Sequence, residues 1–380
     1  MKIGIVTFAR TCNYGATLQC YALNKALSLV GGDPVTVDYW PQYFRSRYYV
    51  DELPFAGFQK DKFKEWRHQM KVKLIKDKRG RRFERFLEKN VKLTRPRVRS
   101  VEEFNKFACS SNIQKWITGS DQVWNDVCAC FDPVYFLDVK LPEGSQKYSY
   151  AASFGMSAIP AAKRDAYKSR LTGYTRYSVR EESGVDMIRG LMDVDVNVHC
   201  DPTLLLTADE WSRVAARKRK EPYILIYHVM NPAYLLQKAR VLSESTGLKV
   251  VLVTPYFDYP AVAKGTMRKQ GYEQAMASSP ADFVSLFKNA EYVLTNSFHG
   301  TVFSAIFHKK FWIQTHQING KINNRAINLL NILGIKGREL TKDNALNDGE
   351  IDWAVADAAI AKMRASALSY LKAVVSDPLT

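Results

Sequence analysis

The sequence predicts an α/β protein of two doubly wound domains facing each other across a central cleft. Three observations predict it. Short apolar runs alternate with segments of helical period along almost the whole chain. A strongly basic stretch interrupts the alternation, which then resumes. The 380 residues suffice for two hydrophobic cores.

Taken in order, Lys2–Ala9 reads as a strand, Ala16–Val30 as an amphipathic helix ended by Gly31-Gly32, and Pro34–Trp40 as a second strand. Such a βαβ unit makes the two strands parallel. Its first loop, Thr11–Ala16, lacks G-x-G-x-x-G, so Asp38 at the end of the second strand is not read as a ribose ligand. An insertion over about residues 44–105 follows. Within it, Lys60–Arg99 holds 17 Lys/Arg against 5 Asp/Glu, a net +12 of the chain's +17. Phe63, Trp66, Met70, Leu74, Phe83, Phe86 and Leu87 recur there at mostly helical spacing. The stretch is either a helix with one packed and one solvated basic face, or a surface for anionic membrane or anionic polymer. Nucleic acid is not expected, for want of a recognition motif.

The alternation resumes with strands at Gln114–Thr118, Lys147–Ser153, Arg176–Val179 and Val196–Cys200, and helices at Ala161–Thr172 and Glu182–Leu191. A helix at Ala208–Lys218, capped by Thr207, opens the second half. Strands then fall at Tyr223–Val229, Lys249–Thr254, Tyr292–Thr295 and Phe311–Thr315, with helices at Ala233–Thr246, Ala281–Asn289 and Asn324–Leu333. Ile351–Val375 is one long Ala-rich helix. The expected division is 1–205, 206–345 and a terminal segment 346–380.

Composition narrows the class. Hydrophobic residues at 46% and charged residues at 24% are ordinary for a soluble globular protein. Ile3–Ala9 is too short for a signal peptide, and no apolar run is long enough to span a bilayer. Six scattered cysteines point to free thiols in a reducing, cytoplasmic setting. Cys128-Ala-Cys130 has no second cysteine pair or nearby histidine, so no metal site is expected.

The most informative segment is Glu291–Trp312: a buried strand, a turn at Asn296–Gly300, and a helix expected to open at Thr301. In α/β folds this junction lies at the carboxyl edge of the sheet, where ligands bind. A helix start favours an anion, and a histidine there exchanges protons near neutral pH. Ser297 and the N–H groups of Gly300 and Thr301 thus form a candidate phosphate cradle, or merely an N-cap. His299 is the candidate acid/base; alternatively its ring only holds the turn. His228, inside a strand, and His316 are its rivals.

Four segments carry a resemblance. They are Asn13-Tyr14-Gly15-Ala16-Thr17-Leu18-Gln19, Gly119-Ser120-Asp121-Gln122-Val123-Trp124-Asn125, Ser178-Val179-Arg180-Glu181-Glu182-Ser183 and Asn296-Ser297-Phe298-His299-Gly300-Thr301. In their order and spacing the chain resembles the polysaccharide pyruvyl transferase family. The resemblance implies a GT-B-like fold of two Rossmann-like domains, with a terminal helix that packs back on the first. It implies transfer of the pyruvyl group of phosphoenolpyruvate, as co-substrate, to two hydroxyls of one sugar in a cell-surface or exopolysaccharide precursor. The product is a ketal, and no metal or redox cofactor is required. The acceptor glycan is lipid-linked or soluble, and the protein is placed in the cytoplasm or at the inner face of the membrane.

That reaction needs cationic clamps for phosphate and carboxylate, an acid for the enol carbon and a base for the hydroxyls. The resemblance places Arg180 at the donor, where a guanidinium fork suits an anion; otherwise Arg180 pairs with Glu181 or Glu182. Lys321 and Arg325 resemble basic residues the family carries after its histidine motif, and either completes the clamp or is solvated. Asp121 accepts a sugar proton or shapes an Asx-turn. Asn13, Gly15, Ser120 and Asn125 line the acceptor side, Gly15 serving there or only for backbone freedom. Trp124 stacks on a sugar or lies in the core. Two other classes fit the same layout: a GT-B-like glycosyltransferase using a nucleotide sugar, and a non-catalytic protein binding anionic glycan or membrane.

Overall fold

The computed structural model describes residues 2–48, 63–216, 219, 221–255, 271–315, 317–318, 321–322, 324–340, 346 and 349–379. The chain divides into two compact units: Met1–Tyr49 with Glu84–Leu206 and Lys362–Thr380, and Val50–Phe83 with Thr207–Ala361.

The first unit is built on strands β1 (Lys2–Val6), β2 (Asp33–Thr36), β3 (Lys115–Thr118), β4 (Gln146–Ser149), β5 (Tyr174–Val179) and β6 (Val196–Val198). All pair in parallel in the order β2-β1-β3-β4-β5-β6. The order reverses between β1 and β3, so the loops leaving those two strands open a crevice. The helices up to residue 189 are α1 (Tyr14–Leu29), α2 (Gln42–Tyr48), α3 (Phe63–Asn90), α4 (Val101–Ser110), α5 (Arg164–Leu171) and α6 (Glu182–Arg189); all fall in this unit except the part of α3 up to Phe83, which belongs to the second. Strand alternation splits the core in two. Trp116 packs with Phe104 of α4, Tyr167 of α5 and Ile188 of α6. Ile3, Ile5 and Ile117 point to the other face, with Leu23 and Leu27 of α1.

The second unit's sheet contains β7 (Tyr223–Tyr227), β8 (Lys249–Val253), β9 (Glu273–Gln274), β10 (Tyr292–Thr295), β11 (Lys310–Gln314) and β14 (Glu339–Leu340), while β12 (Gln317–Ile318) and β13 (Lys321–Ile322) form a separate hairpin. The order β14-β11-β10-β7-β8-β9 is again parallel throughout. This is the Rossmann order, and it reverses between β7 and β10. The helices are α7 (Ala208–Val214), α8 (Ala233–Thr246), α9 (Pro280–Asn289), α10 (Phe298–Ile306), α11 (Asn324–Ile332) and α12 (Trp353–Ser376). One sheet face packs on Leu235 and Ala239 of α8. The other carries an aromatic cluster of Tyr227 of β7 with Phe283, Phe287, Phe303 and Trp211 from α9, α10 and α7. Both units are therefore doubly wound and Rossmann-like, as the predicted class requires.

Local chemistry explains the boundaries. A capping box between Thr207 and Glu210 opens α7, and Ser279–Asp282 with Pro280 in the first turn opens α9. The expected strand Pro34–Trp40 stops at Thr36 because the chain beyond it pairs with residues returning from the insertion. The N–H of Trp40 donates to the carbonyl of Val98, and that of Val98 to Asp38. In the terminal segment, Ala367, Tyr370, Leu371 and Val374 of α12 join the core face of Ile3 and Ile5. Lys115 donates to the carbonyls of Val374 and Val375 at 2.8 and 3.0 Å, closing the end of that helix.

Candidate active site

At the first unit's switch point the loops after β1 and β3 are tied together by Gln19 of α1. Its amide donates to Thr7 Oγ1 at 2.8 Å and its oxygen accepts from the Ser120 N–H at 3.1 Å. Asn13 caps α1, its Oδ1 accepting from the N–H groups of Gly15 and Ala16. Gly15 lies in the first helical turn with an ordinary φ, so backbone freedom does not account for it. Gly119 is different: φ is +108°, and a Cβ there would lie 2.2 Å from the Tyr150 carbonyl oxygen. Asp121 follows with φ +71°, a left-handed conformation uncommon outside glycine. Its Oδ1 accepts from the Gln122 N–H at 2.9 Å.

Three expectations for this turn are corrected. Trp124 is fully buried among Phe136, Phe154 and Tyr174, so it packs the core and does not stack on a sugar. Ser120 is fully buried, its hydroxyl donating to the Ala151 carbonyl. Asn125 donates to the Phe154 carbonyl and accepts from Val127 and Cys128, so its side chain shapes the loop. Asp121, like Gln122 beside it, remains partly exposed in the turn.

Arg180, at the end of β5, is surrounded by acids. Its Nη1 lies 2.9 Å from Asp201 Oδ2 and 3.9 Å from Asp121, and its Nε lies 3.0 Å from Glu181. Burial works to lower its pKa, but the charges of Glu181, Asp201 and Asp121 outweigh it, so the pKa is raised. Asp201 is fully buried and also accepts from Thr203; Ser153 donates to Glu181 at 2.9 Å. One guanidinium among three carboxylates leaves this locus net negative. That disfavours Arg180 as a clamp for a phosphate or carboxylate, and favours hydrogen bonding to hydroxyls through Asp121 and Glu181. Glu181, Asp201 and Gln19 were not singled out as functional from sequence. Asp201 follows β6 at the carboxyl edge, which was its one local signal.

At the second unit's switch point Asn296 bridges the two diverging loops, its Oδ1 accepting from the Val229 N–H at 2.8 Å. Helix α10 opens at Phe298, not Thr301, with Ser297 as N-cap. The N–H of Thr301 is bonded to the Ser297 carbonyl at 3.0 Å and cannot also bind phosphate. Gly300 is required by packing: a Cβ would lie 2.1 Å from Thr295 Oγ1, itself fixed on the Tyr227 carbonyl. Ser297 makes no side-chain cap bond, and no acid occupies the first turn of α10. The helix start therefore keeps its positive end for a ligand. His299 sits in that first turn, half-buried, its ring edge-on to Phe298 at 5.3 Å. Arg325 lies in the first turn of α11, half-buried. Lys321 belongs to β13; its side chain, like the whole of His316, lies outside the described residues.

His228 is fully buried with Nδ1 on the Met230 carbonyl at 3.1 Å, and burial pushes its pKa down to about 4. His199, stacked on Tyr150 and hydrogen-bonded to Ser178 Oγ at 2.8 Å, is likewise pushed down to about 4. Both fold neutral, against an unfolded value of ~6.5. Their contribution is therefore complete above pH ~6.5 and is lost as pH falls toward 4, by about 3 kcal/mol each. Urea unfolding between pH 7 and pH 4 should show His199→Gln losing stability less steeply than the parent. Parallel profiles would mean that His199 is not buried neutral.

A two-unit Rossmann-type protein, with polar groups gathered at both switch points, is the class that fold and site define. A sequence model described as polysaccharide pyruvyl transferase matches residues 13–313, most of the chain. The chain belongs to the polysaccharide pyruvyl transferase family. A search of curated proteins finds no match. Similar solved structures include the S. aureus MnaA-UDP co-structure, at 11% identity and TM-score 0.49, covering 100% of this chain and 92% of that one. The Methanocaldococcus jannaschii UDP-GlcNAc 2-epimerase in complex with UDP-GlcNAc and UDP has 12% identity and TM-score 0.45, covering 96% and 93%. Spinosyn rhamnosyltransferase SpnG complexed with spinosyn aglycone has 13% identity and TM-score 0.41, covering 99% and 96%.

Proposed function

We propose that the protein transfers the pyruvyl group of phosphoenolpyruvate onto two hydroxyls of one sugar in a cell-surface or exopolysaccharide precursor, releasing phosphate and forming a cyclic ketal. The observation that carries this reading is the family match across residues 13–313, which includes both switch-point motifs. In the proposed division of labour, the start of α10 receives the donor phosphate through the Ser297 hydroxyl and the helix dipole, with Arg325 and Lys321 as further cations. His299 supplies the proton that converts the enol CH2 to a methyl group. The ketal carbon, now electron-poor, takes the first sugar oxygen; phosphate leaves and the second oxygen replaces it. Asp121 and Glu181 hold the sugar hydroxyls and accept their protons. Arg180 holds those carboxylates in place. The reaction draws on no redox step. Whether lipid-linked or soluble, the acceptor must expose two hydroxyls close enough to close one ring. The free state of all six cysteines is in keeping with a cytoplasmic setting; no described helix is long and apolar enough to cross a membrane.

Calorimetric titration of the wild-type protein with phosphoenolpyruvate tests the reading. Saturable one-to-one binding, weakened by Ser297→Ala, is expected. No binding, with or without glycan acceptors, would overturn it and turn attention to nucleotide sugars.

A further inference from the structure

We propose that the solvent face of α3 docks the protein on an anionic lipid bilayer. This surface lies outside both switch-point sites, and its role does not depend on pyruvyl transfer. The inward face of α3 is accounted for. Phe83, Phe86 and Leu87 are buried, and Arg79, only 2% exposed, donates to the carbonyls of Thr254 and Pro255 at 3.0 and 2.5 Å. Arg82 is held by the Ala277 carbonyl and Asp282.

The outward face carries Arg67, Leu74, Lys78, Arg81, Arg85 and Lys89, all exposed. Their spacing of three, four or seven residues sets them in one row along the helix. From Arg67 to Lys89 the row runs about 33 Å at 1.5 Å per residue. Among the described residues, Lys78, Arg81, Arg85 and Lys89 make no ion pair. Among the described acids of α3, Glu88 is engaged by Arg10 at 3.5 Å and Arg97 at 4.0 Å, Glu84 is engaged by Arg10 at 3.1 Å, and Asp77 is half-buried. Lys78, Arg81, Arg85 and Lys89 therefore present positive charge along one face of a single helix, matched to a flat anionic surface.

Leu74 decides between partners. It is 63% exposed, one turn before Lys78 in the row. A soluble polyanion offers nothing to an exposed leucine, whereas a bilayer has hydrocarbon just beneath its anionic headgroups.

Vesicle flotation with the full-length protein tests this, using phosphatidylcholine vesicles with and without phosphatidylglycerol. Binding is expected only to the phosphatidylglycerol vesicles and should weaken with salt. Changing Lys78, Arg81 and Arg85 together to Gln should weaken it on the order of a hundredfold, about fivefold per charge. Leu74→Ser should weaken it further at high salt, where the electrostatic part is screened. Equal melting temperatures of parent and variants would show that the fold is intact. Absence of binding to phosphatidylglycerol vesicles, or binding untouched by the triple substitution, would overturn the proposal. So would capture by heparin that Leu74→Ser leaves unchanged, with no vesicle binding, which would make this face a polyanion site.

Discussion

Arg180→Ala should destabilise the first unit by about 3–5 kcal/mol, because it strips the partner from a buried carboxylate. Asp201 is fully buried, and its Oδ2 takes the guanidinium at 2.9 Å; Glu181 and Asp121 lose the same counter-charge. At 2–4 °C per kcal/mol for a unit of this size, the melting temperature should fall on the order of 10 °C. Thermal unfolding followed by circular dichroism measures it. A cycle with Asp201→Leu adds the control. The double variant Arg180→Met/Asp201→Leu should lose less than Arg180→Met and Asp201→Leu summed, since an apolar pair replaces these two ions without leaving either unpaired, while Glu181 and Asp121 still lose their counter-charge. The consequence for function is direct: loss of phosphoenolpyruvate binding in Arg180→Ala would not by itself make Arg180 a donor ligand. A variant that melts within about 1 °C of the parent yet loses binding would restore the donor-clamp role and show that the acids relax around the gap.

This arginine also marks where sequence reading stopped. Its place at a strand end was legible from the strand Arg176–Val179 giving way to the helix Glu182–Leu191, and so was its being functional or ion-paired. Which acids surround it was not, because Asp201 is brought in from the next strand end by sheet pairing and Asp121 from β3, across β4. The strand–turn–helix around His299 was legible because buried β-branched residues give way to polar turn residues within a few positions. The start of α10 was misplaced by three residues. Ser297, a capping residue by type, caps here through its carbonyl alone, and glycine at 300 looked like a turn residue when it is a contact with Thr295. Trp124 could not be assigned locally, since a tryptophan in a polar turn is equally suited to sugar and to core; Phe136, Phe154 and Tyr174, all distant in sequence, decide it. In α3 the helical period was plain, but nothing in residue type separates Arg79 and Arg82, which face inward, from Lys78 and Arg81, which do not.

His299→Asn should lower kcat for pyruvyl transfer by about 10²–10⁴-fold while leaving phosphoenolpyruvate affinity and melting temperature near those of the parent. The ring is half-buried in the first turn of α10 and packs edge-on to one neighbouring phenyl ring, so a smaller polar side chain leaves no large core cavity. Enol protonation needs a group that gives up a proton near neutral pH, which an amide does not. Phosphate release under saturating acceptor, read as kcat and KM separately, distinguishes the cases. A fall in kcat alone marks a group that acts in the transition state; a rise in KM alone marks a binding residue. His228 does not substitute, being fully buried with its pKa pushed down to about 4, so near neutral pH it has no proton to give. If turnover survives in His299→Asn but is lost in Asp121→Asn, the proton donor must be sought in the first unit, in the Asp121–Glu181 pair, and His299 keeps only the task of holding its turn.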